Sequence, residues 1–244
     1  KQYMDRGNPM AILLMTQGDP AAKEMLRRAI AARYYNSPPT LESLKVEYHG
    51  RGHLKLGPIH SWVPLDIRIY FRFPDAMRWD YRLSPFGLPL QRGTGSYVRD
   101  TFYSEHGTAR ITNSSLLDHL RLCIWGAGAT MLTPLSQPNI HVKVKTERSF
   151  IAVNTVTHDC IEVRLNPDYS LDSVCFSSVN IEDENTQQIA IQPSTDLVAL
   201  NGVLMPRMIR LLRNNQVAYE AGAVALDCNP PLETSFFMPG YAAV

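Results

Sequence analysis

The stretch Val63-Pro64-Leu65-Asp66-Ile67-Arg68-Ile69-Tyr70-Phe71-Arg72-Phe73 decides how this chain folds. Its apolar residues Val63, Leu65, Ile67, Ile69, Phe71 and Phe73 fall on alternate positions, with Pro64, Asp66, Arg68, Tyr70 and Arg72 between them. Only a strand turns successive side chains to opposite faces, so one face here is apolar and the other charged. After Pro74-Asp75 the alternation resumes with Met77, Trp79, Tyr81 and Leu83 against Arg78, Asp80 and Arg82. The pair is predicted to be an antiparallel hairpin with one greasy, aromatic face.

Outward from this hairpin the strand signal continues. Leu44 to Tyr48, Tyr97 to Tyr103, Ile140 to Thr146, Phe150 to Val156, Ile161 to Leu165 and Leu171 to Val179 are each bounded by Gly, Pro, Asn or Asp. Asn201-Gly202 is a strong two-residue hairpin turn signal, and Asn214-Asn215 is a second. The result is a mainly β (α+β) chain, a meander of about ten or eleven antiparallel strands.

Two segments break the two-residue period. Ala22, Met25, Leu26, Ala29, Ile30 and Arg33 share one face of a helix started by Asp19 as N-cap with Pro20 at the first helical position, and ended by Ser37-Pro38-Pro39. Mid-chain, Asn113-Ser114-Ser115 caps a second helix whose apolar face carries Leu116, Leu117, Leu120, Cys123, Ile124 and Ala127, with Gly126-Ala127-Gly128 expected as its stop. Residues 1–18 read as an arm or short helix, and 19–244 as one domain.

Composition narrows the function. With 24 Lys and Arg against 23 Asp and Glu, the net charge of +1 gives no field to recruit nucleic acid. Apolar runs such as Ala11 to Met15 are far shorter than the roughly 20 residues of a membrane-spanning helix. The chain opens at Lys1 without a leader, the start expected of a mature exported protein or of a trimmed chain.

A sheet with one apolar face must close or be covered, and only two helices are at hand. Where two short helices cover so large a sheet, the gap can exceed what side chains fill, and an apolar cavity follows. An acyl chain entering it gains roughly 0.8 kcal/mol per buried CH2. The candidate ligand contacts are Ile67, Ile69, Phe71, Phe73, Met77, Trp79 and Tyr81 on the hairpin, with Leu117, Leu120 and Ile124 on the mid-chain helix. The same residues serve equally well as ordinary core beneath the helices.

Other chemistry finds little support. His49, His53 and His60 can approach one another across a strand pair, but no Asp, Glu or Cys falls at a supporting spacing, so solvated imidazoles are expected and no metal. His158-Asp159-Cys160 has the residue types of a nucleophilic site, yet neighbours on a strand point apart. Gly93-Thr94-Gly95 and Gly126-Ala127-Gly128 lack the context and lysine of a phosphate loop. No cofactor and no catalytic residue is expected. Cys160 and Cys175 lie symmetrically about Asn166-Pro167-Asp168-Tyr169, where a two-residue turn would set them opposite each other; a disulfide and reduced thiols both remain open.

The run Ser194-Thr195-Asp196-Leu197-Val198-Ala199-Leu200-Asn201-Gly202-Val203-Leu204-Met205-Pro206 resembles the strand, Asn/Asp-Gly turn and following strand of the bacterial lipoprotein-sorting (LolA-like) superfamily. Leu226 to Leu232 with Phe236-Phe237-Met238-Pro239 is similar to that family's ending, and Phe73-Pro74-Asp75 with Arg78-Trp79-Asp80 to its "F-P-D-x-x-R-x-D" strand pair. The resemblance implies an unclosed antiparallel β half-barrel whose concave apolar face is covered by an N-terminal and a mid-chain helix. It further implies a periplasmic or lipid-anchored place in the cell envelope, and lipid or lipoprotein acyl chains as partners. Arg51 and Arg68 are the candidates for the arginine such carriers depend on. A regulatory or scaffold role, with an envelope protein as partner, is the alternative use of the same fold.

Overall fold

The structure is a computed structural model and describes residues 14–35, 37–84, 91–99, 101–104, 114–180, 184–238 and 240. A short strand β1 (Gln17–Gly18) leads into helix α1 (Pro20–Tyr34), followed by β2 (Ser43–Leu56), β3 (Ile59–Arg72), β4 (Ala76–Leu83), β5 (Gln91–Val98) and β6 (Thr101–Ser104). Helix α2 (Ser114–Ala129) separates these from β7 (Ile140–Thr146), β8 (Ser149–Asn154), β9 (Cys160–Leu165), β10 (Leu171–Val179) and β11 (Thr186–Pro193). The chain ends through β12 (Leu197–Leu200), β13 (Val203–Pro206), β14 (Met208–Arg213) and β15 (Gln216–Cys228).

Thirteen strands form one sheet in the order β1-β7-β8-β9-β10-β11-β14-β15-β2-β3-β4-β5-β6, and β12-β13 stands apart as a two-stranded ribbon. Every pairing in the large sheet is antiparallel except β1 with β7. The terminal strands β1 and β6 do not pair, so the sheet is an open half-barrel. Its curl still brings the two halves together at one rim: the side-chain amide of Asn154, the last residue of β8, donates to the Pro74 carbonyl at 3.0 Å in the turn between β3 and β4.

The deciding pair is an antiparallel hairpin, as expected, and its register sets Ile67 opposite Tyr81, Ile69 opposite Trp79 and Phe71 opposite Met77. Helix α1 buries Ala22, Met25, Leu26, Ala29, Ile30 and Arg33, the face its period marks out. Asp19 stands at its N-cap with Pro20 following, as expected, but the Asp19 side chain makes no capping bond to the helix. Its backbone N–H donates to the Val142 carbonyl and its Oδ2 accepts the Val144 N–H, so the carboxylate satisfies an edge of the sheet instead.

Several local expectations are corrected. Tyr97 to Tyr103 is not one strand but a tight hairpin, β5 turning into β6 at Arg99 with φ of 51°. The predicted strand at Leu44 to Tyr48 runs on to Leu56, because Gly50 and Gly52 hid its alternation. Cys160 and Cys175 do not face each other. A five-residue turn closes at Leu165–Leu171 and a bulge follows before Ser173, which puts Cys175 opposite Glu162, and all four cysteines are free thiols. Gly126 and Gly128 do not stop α2, which runs through both to Ala129. The proposed cap Asn113 and residues 1–13 lie outside the described residues.

The main core lies on the concave face. Met25, Leu26 and Ile30 of α1, Trp125 of α2 and Phe150, Ile161, Val163 and Val174 of the sheet belong to one buried cluster. On the convex face a smaller cluster joins Tyr70, Ala76 and Val98 to Phe237 of the C-terminal segment. There Arg78 donates to the Phe236 carbonyl at 3.0 Å and Ser96 to that of Phe237 at 2.7 Å.

Candidate functional site

Strand alternation places Tyr48, Ile67, Tyr81 and Gly93 in one cross-strand row of the concave face, and Ile69, Trp79 and Gly95 in the next. Across from these rows lies α2. The helix sits close on β10 and β11, because a Cβ at Gly126 would lie 2.8 Å from Ile191 Cδ1 and 3.3 Å from the Phe176 ring. Two residues further, in the same last turn, a Cβ at Gly128 would lie 3.0 Å from the Phe71 ring. The helix needs glycine at both points to approach the sheet closely.

Toward the N-terminal part of α2 the surfaces separate. An apolar cavity of about 470 Å³ opens between α2 and strands β2 to β6, β11, β14 and β15. Ile67, Ile69, Trp79 and Tyr81 of the hairpin and Leu120 and Ile124 of α2 line it, joined by Leu211, Tyr219 and Ala221 from the far wall. Phe71, Phe73 and Met77 do not line it. Phe71 and Met77 are buried, and Phe73 stacks on Phe71 with ring centres 5.4 Å apart, making this end of the sheet solid core under Gly128. Leu117 lies in α2, but its side chain is outside the described residues.

Glycine accounts for much of the free space. Gly93 and Gly95 present no side chain to the concave face, and the Trp79 indole lies against Gly95, where a Cβ would fall 2.4 Å from Cζ2. Gly52 receives the Tyr219 ring in the same way, at 2.8 Å. The signal is present in the sequence as two G-x-G spacings, Gly50-Arg51-Gly52 and Gly93-Thr94-Gly95. In a strand that spacing removes successive side chains from a single face.

Polar contacts that periodicity could not reveal fasten α2. Arg33, buried on α1, donates to the Thr130 carbonyl at 3.2 Å, and the Tyr34 hydroxyl to that of Met131 at 2.7 Å, which fixes the C-terminal end of the helix. Burial holds the Arg33 pKa below its ordinary value and pushes that of Tyr34 up to about 12. On one flank Arg121 reaches both oxygens of Asp159, at 2.9 and 3.1 Å, while its guanidinium lies 5.2 Å from the Tyr97 ring centre. Asp159 also accepts from the Thr157 hydroxyl at 2.7 Å. His119 contacts the Ser178 hydroxyl through Nδ1 at 2.8 Å, and the Gln187 amide donates to that hydroxyl at 3.1 Å. His119 and Cys123 are cavity-lining residues as well, and burial pushes the Cys123 thiol up to about 12.

The remaining sequence candidates lie elsewhere. Arg51 and Arg68 occupy outward positions, where Arg51 pairs with Glu220 at 2.7 Å and Arg68 with Glu47 at 2.9 Å. They border a convex face whose larger hollow, about 660 Å³, is rimmed by Glu47, Asp66, Asp80, Arg82 and Arg92 and does not suit an acyl chain. His53 and His60 stack at 5.6 Å while His49 faces Asp66, and no group of metal-binding geometry occurs among the described residues. Asp159 is committed to Arg121, and Cys160 is exposed with its thiol pKa raised by burial and by the Asp159 charge.

No family model matches this chain, and no curated protein matches it. Among solved structures it is similar to a LolA superfamily protein from Nitrosomonas europaea, at 12% identity over 91% of this chain and 99% of that one, with a TM-score of 0.48. It is similar also to a DUF1329 family protein from Desulfovibrio piger, at 9% identity over 90% and 98% of the two chains with a TM-score of 0.40, and to a domain described as an outer membrane lipoprotein-sorting protein from Vibrio parahaemolyticus, at 12% identity over 88% and 97% with a TM-score of 0.40.

Proposed function

We propose that this protein binds and transfers an acyl chain of a lipid or lipoprotein in the cavity beneath α2, without catalysing a reaction. One observation carries the reading: 470 Å³ of space bounded by the apolar side chains of Ile67, Ile69, Trp79, Leu120, Ile124 and Leu211. An apolar cavity of about 150 Å³ takes up a benzene, six carbons, so this one has room for roughly eighteen. That is one long chain rather than several. At roughly 0.8 kcal/mol for each buried CH2, a single chain binds usefully without a polar contact.

Release requires a cover that opens at modest cost. Helix α2 is such a cover, held by a few polar contacts at its end and flank. The sequence resemblance supplies the setting, a periplasmic or lipid-anchored place in the envelope. No helix among the described residues is long and apolar enough to cross a membrane.

Mass spectrometry of an organic extract of the purified protein should show a lipid at up to one acyl chain per protein. Ile124→Asp sets a charge against the cavity and should weaken binding of a fluorescent long-chain fatty acid at least about tenfold, by the cost of burying an unpaired carboxylate. Unchanged binding in a folded Ile124→Asp variant sinks the reading. Copurification of a stoichiometric protein with no lipid would favour the scaffold alternative, and turnover of acyl esters would overturn the non-catalytic part.

A further inference from the structure

Strands β2 and β3 outrun both their neighbours. Pairing of β15 with β2 ends at Gly52, opposite Tyr219, and pairing of β4 with β3 ends at Leu65, opposite Leu83. Residues 53–62 continue past these points as a two-stranded ribbon, closed by a turn at Gly57 with φ of 64°. Such a ribbon has no core of its own. Yet its surface is apolar and aromatic: Ile59 is 63% exposed and Trp62 37%.

The two faces of the ribbon differ. Outward, His53 lies against both His60 and Trp62, and the Arg51 guanidinium stacks on the Trp62 ring at 4.5 Å, with Lys55 beyond. Inward, Ile59, Ser61, Val63 and Leu65 follow at two-residue spacing along β3, the polar Ser61 standing opposite Leu54 of β2, and Leu54 and Leu65 are already part of the cavity lining. Residues 50–65 include no Asp or Glu. At the same end of the sheet Arg213 flanks the turn of β14 into β15, two residues of which, Asn214 and Asn215, join it to Gln216.

We infer that this ribbon docks on an anionic lipid bilayer, with Ile59 and Trp62 entering the headgroup region and Lys55 and Arg213 facing lipid phosphates. Trp and a cationic rim beside exposed aliphatic surface suit the boundary of headgroup and acyl chain. What selects a bilayer over a protein partner is a surface without carboxylates whose inward row leads from Ile59, past Ser61 and its cross-strand partner Leu54, to the cavity wall at Leu65. A chain leaving the bilayer at the ribbon meets Leu54 and Leu65 of the cavity lining first. The docking goes beyond the acyl-cavity reading and can fail separately from it.

The intrinsic fluorescence tests both. Of the three tryptophans, Trp79 and Trp125 are buried, and Trp62 alone is substantially exposed. The full chain should sediment with vesicles of phosphatidylcholine mixed with phosphatidylglycerol, less with phosphatidylcholine alone, and brominated lipid should quench its emission. The surface variants Ile59→Asp and Lys55→Glu should keep the wild-type melting temperature while losing about tenfold in vesicle affinity together. Trp62→Phe should remove most of the quenching; what persists in that variant reports bromine near Trp79, inside the cavity. If sedimentation is unaffected by Ile59→Asp and Lys55→Glu, or if quenching survives intact in Trp62→Phe, the docking inference is overturned while the cavity reading stands. Absence of sedimentation with either vesicle, or a change in oligomeric state as the only effect of the variants, overturns it too.

Discussion

Gly95 shows how one missing side chain shapes the molecule. A Cβ there would fall 2.4 Å from Cζ2 and 2.5 Å from Cε2 of Trp79, well inside van der Waals contact with a rigid ring that is itself buried. Gly95→Val should drive the indole into the cavity at a cost of about 1–3 kcal/mol, read as a lowered melting temperature together with weaker fatty-acid binding. Adding Trp79→Leu should restore part of the stability, because the two side chains contest one space. Additive losses would show that the ring does not depend on the glycine. The residue was legible as part of a G-x-G spacing; its partner was not, because Trp79 reaches it only through the pairing of β4 with β5.

At the scale of elements, α2 is the part on whose attachment the proposed release of a ligand depends. His119 is buried against the sheet, and burial first, then the Arg213 charge, holds its imidazole below the ordinary value of 6.5. A histidine kept neutral in the fold contributes stability that is fully present above that ordinary value and is lost as the pH falls through the lower folded one. Mild acid should therefore loosen α2, seen as faster amide exchange across residues 115–127 and faster lipid release, and His119→Gln should flatten the response. An unchanged pH profile in that variant would assign the loosening to other groups. Arg121→Gln acts differently, leaving Asp159, whose side chain is 1% exposed, without its cation. The cost should reach about 3 kcal/mol near neutral pH. Burial already raises the Asp159 pKa, so acidification should lessen the defect as the carboxyl takes up a proton. A defect that grew with falling pH would contradict this.

For the whole molecule, the half-barrel divides its labour. Helix α1 and the β7 to β10 side form dense core, whereas β2 to β5 face α2 across open space. A ligand filling that space stabilises the folded state by mass action, by about 2.7 kcal/mol at a hundred times Kd. For a chain of this length the melting temperature should rise on the order of 5 to 10 °C with a saturating long-chain fatty acid. Inability of any acyl ligand to move the transition would remove the cavity from the functional account.

By itself the sequence determined the faces. The period-two alternation of Val63 to Phe73 and of Met77 to Leu83 and the buried stripe of α1 are local consequences of backbone geometry, which repeats every few residues whatever lies around it. Tertiary structure alone decided which apolar positions became packed core and which became cavity wall, so that Phe71 and Met77 are filled in under Gly128 while Ile69 and Trp79 border open space. It also decided that Arg33 and His119 hold a helix, that Arg51 and Arg68 face outward, and that one turn and one bulge keep Cys160 from Cys175. The physical reason is that free volume and polar pairing depend on distances between elements far apart along the chain, and no local period encodes those distances.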